Sequence, residues 1–274
     1  MLKIENLSFS YKRNKPLFRN LSVEMQDGGI VGLLGKNGAG KSTLLKLLAG
    51  LLFQENGKID VNGYEPRHRH PNFLSDVYLI PEEFSLPSVS ILNYLKAMAP
   101  LYPMFDIEKM NGILKEFELF PEYKLNSLSQ GQRKKFLIAF ALATNCNLLI
   151  LDEPTNGLDI PSKSLFRKVL VSSIADSQTV LISTHQVKDV DTIIDSIIVV
   201  DKGRMIFRDS IEEIGRKYLF ETHQSIDNID GIVYSEKSPM GYRAIRTGND
   251  FEETTIDLEL LFNAITSNRL KIKN

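Results

Sequence analysis

Residues Gly35-Lys36-Asn37-Gly38-Ala39-Gly40-Lys41-Ser42 carry the spacing G-x-x-x-x-G-K-[ST], which suits the holding of a phosphate chain. The glycines let the backbone turn inward so that successive N–H groups face one anion. Lys41 brings a compact cation to the outer phosphates, and the Ser42 hydroxyl suits Mg²⁺. An apolar helix pattern opens at Thr43 and runs through Leu48, so a helix N-terminus adds its positive dipole end. Gly35 to Thr43 is therefore the expected nucleotide-binding stretch.

A second group lies at Leu148-Leu149-Ile150-Leu151-Asp152-Glu153-Pro154, an apolar run that ends in two carboxylates. Phosphoryl transfer needs one carboxylate to hold Mg²⁺ and another group to orient and deprotonate the attacking water. Asp152 suits the first task and Glu153 the second. About twenty residues upstream stands Leu128-Ser129-Gln130-Gly131-Gln132. Its short side chains open a helix pattern and can present a hydroxyl and backbone N–H groups to an anion. His68-Arg69-His70 is a pair of histidines without carboxylate or cysteine support, and fits a solvated loop better than a metal site.

The elements that must position these groups follow from periodicity. Ile4–Tyr11 and Leu21–Met25 alternate as strands about a turn-rich 12–16, and 57–63 is a third short strand. Apolar runs at 30–34, 77–80, 148–151, 180–183 and 196–200 suit buried strands. Helical patterns between them imply a parallel sheet with helices on its faces. Residues 88–144 interrupt this alternation with helices, one capped by Asp106 and one starting near Ser129. The expected fold is α/β, a P-loop core with a mostly parallel sheet, an N-terminal antiparallel β subdomain and an inserted helical lobe at about 88–144. The pattern weakens after Gly215. Residues 216–274 are expected to form a small appendage, with a hairpin at 231–247 and a last helix capped by Asp257.

Composition sets outer limits. The 274 residues are 43% hydrophobic with a net charge of −1, an ordinary globular profile that gives no electrostatic case for nucleic acid as a partner. Cys146 stands alone, so no intrachain disulfide can form, and its place beside an apolar strand suits packing. The first residues alternate like a strand rather than a leader, and no apolar stretch reaches the roughly 18 residues of a membrane span. Action at a membrane would need spans from another chain.

The order of these motifs, 35–42, 128–132 and 148–153, closely resembles that of the ATP-binding cassette (ABC) ATPases over residues 1 to about 215. The family signature LSGGQ stands here as LSQGQ, with Gln130 at its third position. The resemblance implies a head-to-tail dimer around two ATP·Mg²⁺, in which Ser129, Gln130 and Gly131 meet the nucleotide held by the other protomer. It puts Tyr11 against adenine, Asn156-Gly157-Leu158-Asp159 across the dimer interface and His185 at the γ-phosphate and attacking water. Glu82 stands where the family usually has a Gln ligand for Mg²⁺. Glu82, residues 154–159 and Asp257–Phe262 resemble the branch of bacterial multidrug-type exporters. The resemblance implies a cytoplasmic ATPase subunit, peripheral at the inner membrane face. Its partners would be a second copy or a paralogous ATPase, and a separate transmembrane permease. The alternatives are a non-transport ABC ATPase and a nucleotide-gated scaffold.

Overall fold

A computed structural model describes residues 1–26, 28–227, 229–248 and 254–270. The chain opens with a hairpin, β1 (Leu2–Lys12) and β2 (Lys15–Met25), and continues through β3 (Gly29–Leu34) into α1 (Lys41–Leu48) and β4 (Asn56–Val61). A short α2 (Pro71–Leu74) leads to β5 (Val77–Ile80). The helical lobe holds α3 (Ile91–Met98), α4 (Ile107–Glu116) and α5 (Gln130–Ala143). The chain returns through β6 (Leu148–Asp152), α6 (Ile160–Ser173), β7 (Thr179–Thr184), β8 (Ser196–Asp201) and β9 (Arg204–Ser210). Then come α7 (Ile211–Lys217), β10 (Tyr218–His223), β11 (Ile232–Ser238), β12 (Gly241–Thr247) and α8 (Leu258–Thr266).

The central sheet has the order β5-β6-β7-β3-β8-β9. All its pairs are parallel except β8–β9. Its alternating side chains divide two cores, as a period of two requires. Val31, Leu33, Leu148, Ile150 and Leu181 face α1 and the antiparallel sheet β2-β1-β4. Ile30, Leu34, Leu149, Leu151, Val180 and Ile182 face the helical lobe, α6 and α8.

Capping explains where the lobe's helices start. Asp106 accepts from Lys109 N–H at 2.9 Å to open α4. Ser129 and Gln132 form a reciprocal capping box at α5, which satisfies two otherwise orphaned donors.

Two expectations are corrected. The turn between the first strands is confined to Arg13–Asn14, and β2 begins at Lys15 with Pro16 inside it. Pro16 is tolerated because β2 is an edge strand. Between β7 and β8 the described residues form no α-helix, only a 3₁₀ turn at Val187–Asp189. That crossover lies tight on β3: a Cβ on Gly32 would sit 2.6 Å from Ile194 Cδ1. The face that a longer helix would cover belongs to α8, which shares one apolar cluster with Val187 and Val190. The tail contains the expected hairpin, β11–β12, and the last helix capped by Asp257. The sheet β10-β12-β11 and α8 join the main core through Ile245, Leu258, Leu261 and Ile265.

Candidate active site

The phosphate loop lies between the carboxyl end of β3 and α1, the place where open parallel sheets bind ligands. Gly40 takes φ 108°, and a Cβ there would stand 2.9 Å from the buried Phe18 ring. Glycine is the residue that meets both conditions. Lys41 is 6% exposed, and its ammonium donates to the Gly35 carbonyl at 2.8 Å. That contact folds the lysine back along the loop.

The ends of neighbouring strands β6 and β7 supply the facing groups. Asp152 Oδ1 accepts the Ser183 hydroxyl. Glu153 has φ 48°, a left-handed conformation uncommon for a non-glycine residue. Its N–H is shared between the Ser183 carbonyl at 3.1 Å and hydroxyl at 3.2 Å. The turn directs its carboxylate at two partners: it accepts from His185 Nδ1 at 2.8 Å and forms an ion pair with Lys41 Nζ at 3.7 Å. The carboxylate is almost fully buried, with 6% side-chain exposure, so these partners replace much of the solvation it has lost.

A cavity of about 600 Å³ is lined by Tyr11, Asn37 to Thr43, Glu82, Glu153, Asn156 and His185. It thus gathers candidates from β1, the phosphate loop and three strand ends. Tyr11, 61% exposed, places its hydroxyl 3.1 Å from that of Thr43 and its ring edge-to-face against Phe9. Glu82 Oε1 accepts from Asn156 Nδ2 at 3.1 Å. Gly35 and Lys36 precede the lining, and Asp152 stands behind Glu153 beside Ser183. Ser129, Gln130 and Gly131 lie outside this cavity. Ser129 and Gln130 are exposed, and Gly131 sits beside the backbone of Gly157.

Sequence reasoning passed over Ser183 and Lys134, and gave Asn156 a place only at the dimer interface. Ser183 organises both carboxylates' surroundings, because the pairing of β7 with β6 sets it beside Asp152. Asn156 holds Glu82. Lys134, 1% exposed, donates to the carbonyls of Glu153 at 2.8 Å and Asn156 at 3.1 Å. Two other motifs have structural tasks. Arg69 (φ 50°) donates to Gly50 O at 2.6 Å and His70 Nδ1 accepts the Asn72 N–H. Cys146 is buried, and burial pushes its thiol up to about 12, the behaviour of a packing residue.

A phosphate loop at the carboxyl end of an interior parallel strand, facing a strand-end carboxylate pair, defines the class of P-loop nucleotide hydrolases. Comparison narrows it. The family model described as ABC transporter matches residues 18–156. The SkfA peptide export ATP-binding protein SkfE of Bacillus subtilis is 34% identical, over 75% of this chain and 87% of its own length. The molybdate import ATP-binding protein MolC of Haemophilus influenzae is 32% identical, over 75% and 81%. A solved ATP binding subunit of an ABC transporter superposes with a TM-score of 0.72 at 26% identity, covering 79% of this chain and 92% of that one. The chain belongs to the ABC transporter family, as one of its ATP-binding ATPase subunits. Among the described residues, no helix is long and apolar enough to cross a membrane.

Proposed function

We propose that this chain hydrolyses ATP as a head-to-tail dimer, with a second copy of itself or a paralogous ATPase, and drives a separate transmembrane permease in export. The convergence of Lys41, Glu153 and His185 at the phosphate loop carries the reading. Lys41 and the loop amides hold the outer phosphates. Glu153 takes the proton of the attacking water. His185, aligned by its bond to Glu153, contacts the γ-phosphate. Tyr11 stacks on the base. Ser129, Gln130 and Gly131 complete the partner's site, and the exposure of Ser129 and Gln130 beside the 154–159 loop supports this.

The donor set suits Mg²⁺. Ser42, Asp152 and Glu82 offer oxygen ligands, and no group of three or more His, Cys, Asp or Glu side chains could cage a metal among the described residues. Mg²⁺ ordinarily keeps waters and phosphate oxygens and takes only one or two protein carboxylates. When bound, it neutralises charge on the phosphates.

We assign the nucleotide chemistry to residues 1–215, with the helical lobe at about 88–144, and treat 216–274 as an appendage. A groove lined by Leu51, Arg69, Leu74, Leu79, Pro81 and Leu101 separates the sheet from the lobe. Leu51 and Leu101 are exposed there, which suits a seat for a helix of the permease. That seat would hold the chain at the cytoplasmic face of the membrane. Named relatives work in both directions, SkfE in export and MolC in import. The export assignment rests on Glu82, residues 154–159 and the C-terminal helix.

Light scattering with and without MgATP tests the shared site: a shift from monomer to dimer is expected on addition of ATP. ATP binding with no dimer, and no phosphate release, would favour the scaffold. Stimulation of turnover by nucleic acid would favour the non-transport ATPase.

Glu82→Gln keeps an oxygen for Mg²⁺ and an acceptor for Asn156. Steady-state phosphate release is expected to stay within about threefold of wild type. A loss beyond about tenfold would show that the negative charge itself is used.

A further inference from the structure

Lys134 is the most deeply buried cation of the described residues, at 1% exposure. It lies just over one turn into α5, the helix that Ser129 caps. Two of its three ammonium protons have assigned acceptors, both backbone carbonyls: Glu153 at 2.8 Å and Asn156 at 3.1 Å. Burial pulls this ammonium below its ordinary value, while Glu82, Glu153 and Asp152 oppose the shift. A buried charge of this kind is costly unless its geometry is well satisfied.

It holds a residue whose backbone is in the left-handed region. Glu153 sits at φ 48°. Ser183 fixes its N–H side and Lys134 fixes its carbonyl side. Three residues on, Asn156 carries Glu82 on its side chain and accepts Lys134 on its carbonyl. One ammonium therefore fastens the strand end, the start of the 154–159 loop and α5 together. Lys134 itself does not line the nucleotide cavity.

We propose that Lys134 is a positioning residue that ties the two nucleotide sites of the dimer to each other. It holds Glu153 for its own chain's nucleotide from the helix whose N-terminus serves the partner's nucleotide. This rests on the shared-site dimer proposed above. Movement of α5 as Ser129 engages the partner's phosphate is carried through Lys134 into the backbone of Glu153. Lys134 thus acts on turnover and closure, and leaves single-site nucleotide affinity alone.

The test compares wild type, Lys134→Met and Lys134→Gln in the full chain, measuring kcat for phosphate release and, separately, ATP Kd on the monomer. Lys134→Met is expected to lower kcat about tenfold or more, with Kd within about twofold. Lys134→Gln, which keeps two N–H donors, is expected to recover a large part of that loss. In a Glu153→Gln background, Lys134→Met is expected to raise the ATP concentration that half-saturates dimerisation by about fivefold. Lys134→Met turning over within about twofold of wild type would overturn the proposal. So would equal losses of kcat and affinity in both variants without rescue, the mark of a general packing role. If Lys134→Met does not fold, hydrogen exchange of the 153–158 amides in Lys134→Gln decides. Faster exchange than wild type supports the tie, and unchanged exchange removes it. A wild-type protein with neither turnover nor an ATP-induced dimer would sink the underlying functional reading instead.

Discussion

Glu153→Gln is expected to cut steady-state ATP turnover by about 100-fold or more, while ATP still binds. The argument is local. The Glu153 carboxylate is almost fully buried and accepts from His185 Nδ1 at 2.8 Å. An amide of the same shape can keep that hydrogen bond through its oxygen, so His185 keeps its orientation. What the amide cannot do is take a proton from water. It also removes one negative charge that faces the phosphates across 3.7 Å from Lys41, so affinity should hold or improve. The closed dimer should then accumulate, because the step that dissolves it is blocked. Phosphate release and light scattering on the same preparation read both effects. Turnover within about tenfold of wild type would assign the general base to another group. Lost turnover with lost ATP binding would mean that the substitution disturbed the loop rather than the chemistry.

The parts of this site that could be read in sequence are those with local signals. The phosphate loop shows itself by spacing, Asp152 and Glu153 by their place at the end of four apolar residues, and α4 and α5 by caps at Asp106 and Ser129. Each signal spans a few residues, so no knowledge of the fold is needed. Lys134 had no such signal. It stands in Arg133-Lys134-Lys135, a charged run that resembles any solvated first turn. Only the phase of α5 against β6 sends the middle member inward. Ser183 was hidden differently, in an apolar strand whose function depends on which strand lies beside it. The pairing Asp152↔Ser183 is a fact of topology. The missing helix between β7 and β8 has the same origin. Its place is taken by α8, more than sixty residues later in the chain, and periodicity within a window cannot see that competition. Short β9, α7 and β10 carry too few residues each for a period to emerge.

Lys41→Met is expected to weaken ATP binding roughly 10- to 100-fold, the range that follows from losing one charge-assisted contact of about 1.5–3 kcal/mol. Methionine fills similar space without the charge. The loss acts at two points. The phosphates lose a cation that the Gly35 carbonyl holds in place at 2.8 Å. Glu153, 3.7 Å away, loses its ammonium partner and then faces the incoming phosphates with His185 alone. These two effects can be separated. If repulsion from Glu153 contributes, the double variant Lys41→Met/Glu153→Gln should bind ATP more tightly than Lys41→Met. If only the phosphate contact matters, the two should bind alike, and the cycle should be additive. Calorimetric titration of the four proteins gives the coupling directly. An unchanged Kd in Lys41→Met would contradict the phosphate role. Lys41→Arg sharpens the test, because the charge stays while its shape changes. The lysine is 6% exposed beneath the loop, so a planar, longer guanidinium cannot take its place beside Gly35 without moving the loop. Arginine should therefore rescue little of the affinity, which would locate the effect in the folded-back geometry of the ammonium rather than in net charge.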